Sequence, residues 1–226
     1  MKQNNLLTFA LLFASALILP GLKAAEGFHL PGPGQTAHYE MCDAEGAAEA
    51  SYDVIIRSQK LTADASEITM VYYCYKADGK AYFKAPNEMI FHITQQAGHT
   101  DIVFEELTQV IKAQTLLPVG DMSSIPLDLQ VGQKLPDSSI DVKMGRMSAE
   151  IISEDRAVKE HRLITTPAGA FDAWLVHEKV TTKNVFRTTV AVADTWYVID
   201  IGMVSQVIRD EKGNLLHTQQ LTKLTK

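Results

Sequence analysis

EITMVYYCYKADGKAYF, residues 67–83, decides the class of the fold. Its first ten residues are dominated by β-branched and aromatic side chains, which fit a pleated, half-buried surface. Asp78-Gly79 then separates that run from the short run 81–83, the composition of a tight hairpin turn. The same grammar extends outward. Residues 50–61, 87–96 and 101–106 read as strands on the N-terminal side, with Gly98 as a turn. Beyond them, residues 140–154, 157–166, 170–180, 185–201 and 203–225 read as strands or strand pairs. Pro167-Ala168-Gly169 and Lys212-Gly213-Asn214 punctuate that second set. One window, 104–114, carries helical spacing, with Phe104, Leu107 and Ile111 on one face. Residues 116–136, with Pro118, Gly120, Pro126, Gly132 and Pro136, read as a linker or long connection across the sheet. The expected fold is mostly β: a curved antiparallel sheet or partly open barrel with one short helix.

The chain has 226 residues, 46% hydrophobic and 21% charged, an ordinary globular composition. Residues 1–25 have Lys2, a 14-residue apolar run from Leu6 to Leu19, Pro20-Gly21 and then Ala24-Ala25. At about 1.5 Å per residue the run spans roughly 21 Å, short of a roughly 30 Å hydrocarbon core. These are the parts of a secretory signal peptide, so the protein is expected to be exported, to the periplasm or beyond, with no transmembrane anchor after cleavage. Residues 26–35, rich in Pro and Gly, form an extended lead-in, and 36–226 a single β-rich domain. The formal charge is −6 for the whole chain and about −8 without Lys2 and Lys23. That balance argues against nucleic acid as a partner.

Cys42 and Cys74 are the two cysteines. In an oxidising compartment they are either a disulfide or two buried thiols, depending on how closely their strands approach. His38, four residues before Cys42, lacks the further clustered ligands of a metal site. Catalytic signatures are missing from the sequence. There is no Gly-x-Ser-x-Gly elbow and no His-Glu-x-x-His, and the seven histidines are never closer than seven residues apart. Glu105-Glu106 would point to different faces of a helix, and Asp172 with Glu178, or Glu150 with Glu154, read as solvated acids. No catalytic, metal or cofactor residue is assigned, and an enzyme is the less favoured reading. The informative side chains are aromatic. Tyr72, Tyr73 and Tyr75 alternate along one strand, and Trp174 and Trp196 recur later, so these five are the candidate ligand groove.

Thr165-Thr166-Pro167-Ala168-Gly169-Ala170-Phe171 is followed by Trp174, then Trp196-Tyr197 and Ile201-Gly202-Met203-Val204, with Asp210-Glu211-Lys212-Gly213 closing the last hairpin. Together with Leu116-Leu117-Pro118, Ile125-Pro126 and residues 131–135, these resemble the exported TapB-like proteins of Gram-negative bacteria, a DUF family with a YmcC-like β fold. The resemblance covers residues 100–226 well and the first half loosely. It implies a fold and export, and carries no activity. Pro167, Gly169, Phe171, Trp196, Tyr197 and Gly202 are turn and core positions in it. The chain departs from the family pattern at Met41-Cys42-Asp43-Ala44 and at Ala173. The function expected is that of a non-catalytic envelope protein binding an apolar or amphipathic ligand (a lipid or a glycan) or an envelope protein. Two alternatives are a structural subunit joined by strand addition and a hydrolase of envelope sugar or peptide.

Overall fold

The computed structural model describes residues 34–61, 65–82, 88–96, 99–104, 118–119, 128–144, 147–184, 187–199 and 201–225. The signal segment 1–25 and most of the lead-in lie outside them. Twelve strands run through the described residues: β1 (Thr36–Asp43), β2 (Ala48–Leu61), β3 (Ala65–Lys76), β4 (Glu88–Gln96), β5 (His99–Phe104), β6 (Pro118–Val119), β7 (Ser138–Met144), β8 (Met147–Thr166), β9 (Gly169–Asn184), β10 (Thr188–Val198), β11 (Gly202–Asp210) and β12 (Leu215–Thr225). Each pairs antiparallel with its sequence neighbours, and β1 pairs with β12, so the ring of strands closes. The expected mostly β, curved antiparallel fold is borne out, and its strand order runs round to join β1 with β12, thinly at one place. There β6 joins β5 through Asp101–Val119 and β7 through Pro118–Val142 and Val119–Asp141. Among the described residues none is helical. Of the helical window 104–114, Phe104 ends β5 and the rest lies outside the described residues.

Alternation makes the wall amphipathic. Ala37, Tyr39 and Met41 on β1, Tyr52, Val54 and Ile56 on β2, and Met70, Tyr72 and Cys74 on β3 face inward and are buried. Ala191, Ala193 and Tyr197 on β10 and Val204 and Ile208 on β11 do the same across the barrel. Tyr39 and Tyr52 stack at 4.9 Å between ring centroids, with Tyr72 5.9 Å beyond. The Tyr39 hydroxyl donates to the carbonyl of Met203 at 2.8 Å, tying β1 to β11 through the interior.

Three turns at one end share a mechanism. In each, a glycine in the left-handed region donates its N–H to the carbonyl three residues earlier (Gly46 to Asp43, Gly79 to Lys76, Gly213 to Asp210). Asp43, Asp78 and Asp210 accept the turn amides with their side chains, for example Lys212 N at 2.9 Å and Asn214 N at 2.8 Å on Asp210. At the opposite end, β8 and β9 turn through Pro167-Ala168, with Thr166 opposite Gly169.

Strand β8 is continuous, where the sequence suggested two pieces, because two bulges absorb the irregularity near residues 155 and 159. At the first, Asp155 has φ +54 and Arg156 turns into the barrel. The second shifts the face that the rest of β8 presents.

The described end of the expected linker is part of the wall. Residues 129–136 run along β8, with Gly132 N donating to Val158 O (2.8 Å), Val158 N to Gln133 O (2.9 Å) and Leu135 N to Arg156 O (2.9 Å). Leu129 and Leu135 join the core.

Candidate functional site

Two regions carry the chemistry: a polar belt inside the barrel, and the rim formed by the β8–β9 hairpin. The belt starts at Tyr52, whose hydroxyl donates to Gln219 Oε1 at 2.7 Å. Gln219 Nε2 donates to Gln206 Oε1, 2.5 Å away, and Gln206 Nε2 to Thr195 Oγ1 at 2.8 Å. Four strands are linked in this way because Gln206 lies directly opposite Gln219 on one side and Thr195 on the other. A buried amide needs partners for both its donor and acceptor, and the row supplies them.

Further round, Arg156 and Glu178 form an ion pair at 3.4 Å, both essentially without solvent exposure. Arg156 Nη1 also donates to the carbonyl of Pro136 at 2.9 Å. Burial holds the Glu178 carboxyl above its ordinary range, against the opposing pull of Arg156 and Ser153. Arg156 belongs to a sequence stretch that reads as solvated; only the bulge at Asp155 puts it inside.

At the rim, His161 stacks on Trp174 with ring centroids 3.7 Å apart and planes 9° from parallel. His161 Nε2 also meets Asp172 at 3.0 Å. On the other face of the hairpin the Arg162 guanidinium sits 5.0 Å from the Trp196 ring, a cation–π contact that covers Ala173. Register places Trp174 opposite Tyr197 and in step with Val176, so the His161–Trp174 stack continues the inner face of the barrel. Leu163, two residues on from His161, is 66% exposed, and Ile199 on the neighbouring β10–β11 loop is 40% exposed.

The five aromatics of the expected groove do not share one. Tyr72 is inside, while Tyr73 and Tyr75 point out from β3, with the Tyr73 hydroxyl on Glu88 at 3.1 Å. Trp174 on β9 and Trp196 on the neighbouring β10 stand on opposite faces of the distant wall. Pro167 and Gly169 form the hairpin tip, Phe171 and Trp196 pack half-buried against the core, Tyr197 is in it, and Gly202 opens β11 at φ +95. The structure draws no disulfide between Cys42 and Cys74. Cys74 pairs across β2 with Tyr52, which faces Tyr39, whereas Cys42 is an odd number of residues further along β1. The two thiols therefore lie on opposite faces of the sheet, two strands apart.

On the outer wall, His177 Nδ1 lies 2.7 Å from Asp194, which also takes Arg209 Nη1 at 2.9 Å, and His38 pairs with Asp53 across β1 and β2. Near the turn end, His217 meets Glu49 at 2.9 Å. Among the described residues no three of His, Cys, Asp and Glu converge as a metal site, and no helix is long and apolar enough to cross a membrane.

The DUF3108-like family model matches residues 33–221. No curated protein matches the sequence. A solved structure described as an exported protein with a YmcC-like fold, from Bacteroides fragilis, aligns with a TM-score of 0.69 at 17% identity, over 89% of this chain and 100% of that one. Another, described as a lipoprotein from Parabacteroides distasonis, gives 0.69 at 16% identity, over 88% and 99%. At such identities the likeness is one of fold, and the fold is YmcC-like.

Proposed function

Because the chain belongs to the DUF3108-like family, we propose that it is an exported envelope protein, a non-catalytic module that binds an amphipathic ligand at the β8–β9 rim. Export is supported by the signal-like segment 1–25 and by fold relatives described as exported or as a lipoprotein. The observation that carries the binding reading is the rim itself. A planar His161–Trp174 stack, with its charged neighbour Asp172, stands beside Leu163 at 66% exposure on a face continuous with the barrel interior. An aromatic ledge with one wet edge and an apolar side chain in water is suited to a molecule with a polar and an apolar part.

The test is native mass spectrometry of the mature protein purified from its own envelope, beside Leu163→Asp. A co-purifying molecule of defined mass that is retained by wild type and lost from the variant is the expected result. Wild-type protein that is empty, and stays empty when envelope lipid extract is added back, overturns the reading.

A further inference from the structure

Two rows of side chains finish the wall at the rim of β8, β9 and β10. Register sets His161 opposite Trp174, and Trp174 opposite Tyr197. Two residues nearer the tip, Leu163 lies opposite Asp172, and Ile199 stands two residues past Tyr197. Leu163 and Ile199 thus share the outermost row, two strand spacings or roughly 10 Å apart. They are 66% and 40% exposed. With Val131 (59%), on the turn whose Gly132 N donates to Val158 O beside them, they are the exposed large apolar side chains among the described residues. Both tryptophans of the chain, Trp174 and Trp196, lie half-buried just beneath that row.

The charges of the hairpin are matched locally. Asp172 meets His161 at 3.0 Å, and Glu160 meets Arg162, the cation over Trp196, also at 3.0 Å. The chain as a whole is acidic, yet these two carboxylates each have a basic side chain against them. The polypeptide also enters the barrel at this end, because Thr36 at the start of β1 pairs with Thr225 at the end of β12. On the export reading, the segment that passes through the membrane joins the barrel at the rim.

We propose that this rim docks on a bilayer surface, with Leu163 and Ile199 among the acyl chains and Trp174 and Trp196 at head-group level. The proposal rests on the rim-binding reading and adds that the amphipathic ligand is met in a membrane. Tryptophan, apolar in its body and polar at its edge, concentrates at membrane–water interfaces. Arg162 lays its stem along the protein and keeps its charge in water, as a residue at that depth must. Interfacial binding grows with the apolar area buried and with attraction to anionic lipid. With the hairpin charges matched, the apolar part dominates, so lipid charge matters little.

The mature protein is mixed with vesicles of phosphatidylcholine alone, and of phosphatidylethanolamine with phosphatidylglycerol. Binding is followed by co-sedimentation and by tryptophan emission, which reports this end alone because both tryptophans lie there. Wild type is expected to sediment with both vesicles at similar lipid concentrations and to shift its emission to the blue. Leu163→Asp/Ile199→Asp changes two side chains already in solvent. It is expected to keep the wild-type melting temperature and to need at least roughly tenfold more lipid. Failure to sediment with either vesicle overturns the docking, and a ligand still retained in the native mass spectrum then leaves the rim reading standing. Sedimentation without an emission shift puts the contact on another face and overturns it too. Sedimentation with the phosphatidylglycerol vesicles alone, abolished by salt, overturns the apolar contact. A wild-type dimer that the double substitution converts to a monomer gives the rim to a second copy and overturns the membrane as its partner.

Discussion

Arg156 and Glu178 meet at 3.4 Å inside the barrel with neither side chain reaching solvent. Removing one partner of a buried pair strands the other charge, at about 3–5 kcal/mol, whereas replacing both with apolar groups is often neutral. Arg156→Met alone is therefore expected to destabilise by that amount in urea unfolding, and Arg156→Met/Glu178→Leu to regain most of it. If the double variant is as unstable as the sum of the singles, the two side chains act independently and the pair is not the unit that matters.

The same carboxyl sets a pH dependence. Burial holds Glu178 above the usual carboxylate range, so the folded protein binds this proton more readily than the unfolded chain. Its contribution to stability is complete below the ordinary glutamate value and is lost as pH rises through the elevated one. The stability of wild type relative to Glu178→Gln should thus fall between about pH 4 and the elevated value, in chemical unfolding at matched ionic strength. A difference that rises with pH over that window would reverse the assignment.

The strands were legible in the sequence because one face of each is core: 188–198 shows alternate burial, and in 67–76 Ile68, Met70, Tyr72 and Cys74 form the buried face, with Val71 buried on the other. What escaped were features set by irregularity or by distance. The strand Thr36–Asp43 carries a single β-branched residue among eight, so its composition does not announce it, and its identity comes from pairing with both β2 and β12. Arg156 and Glu178 look like ordinary surface charges until the bulge at Asp155 turns one of them inward. Tyr72 could be seen as aromatic but not as interior, since Tyr73 and Tyr75 offer the opposite phase with equal right. The stacks at Trp174 and Trp196 depend on residues 13 and 34 positions away, beyond any local pattern.

The interior amide row gives a sharper test of packing. Gln206 both accepts from Gln219 and donates to Thr195. Gln206→Leu keeps the volume and strands two buried polar groups, which typically cost about 1–3 kcal/mol each. Gln206→Leu/Gln219→Leu removes the Gln219 amide as well and deprives Thr195 and the Tyr52 hydroxyl of these bonds. The single variant is expected to lower the urea midpoint clearly with an unchanged slope. An effect under about 0.5 kcal/mol would mean that the row is not stabilising.

At the turn end, Gly213 has φ +85 with open space where a Cβ would go. Gly213→Ala should cost about 1 kcal/mol through backbone strain alone. Asp210, held below its usual value first by Asn214, stabilises the fold above its unfolded value and loses that contribution as pH falls through the lowered one. Asp210→Ala should therefore matter less in acid than at neutral pH, as thermal melts of the two proteins would show.

The cysteines give a test of register. Cys42 is on the outer face, while Cys74 is fully buried inside. Burial raises both thiols, with Glu40, Asp43 and Glu49 adding to the effect at Cys42. Protein purified from its oxidising compartment without reductant should carry two free thiols by intact mass after alkylation in denaturant. In the native state Cys42 alone should react, and faster as pH rises, because the thiolate is the nucleophile. Cys74 should react only at the rate of unfolding. A mass short by two hydrogens, with neither cysteine alkylated, would be incompatible with this strand order, because β2 lies between β1 and β3 and holds the two Cα atoms beyond disulfide reach.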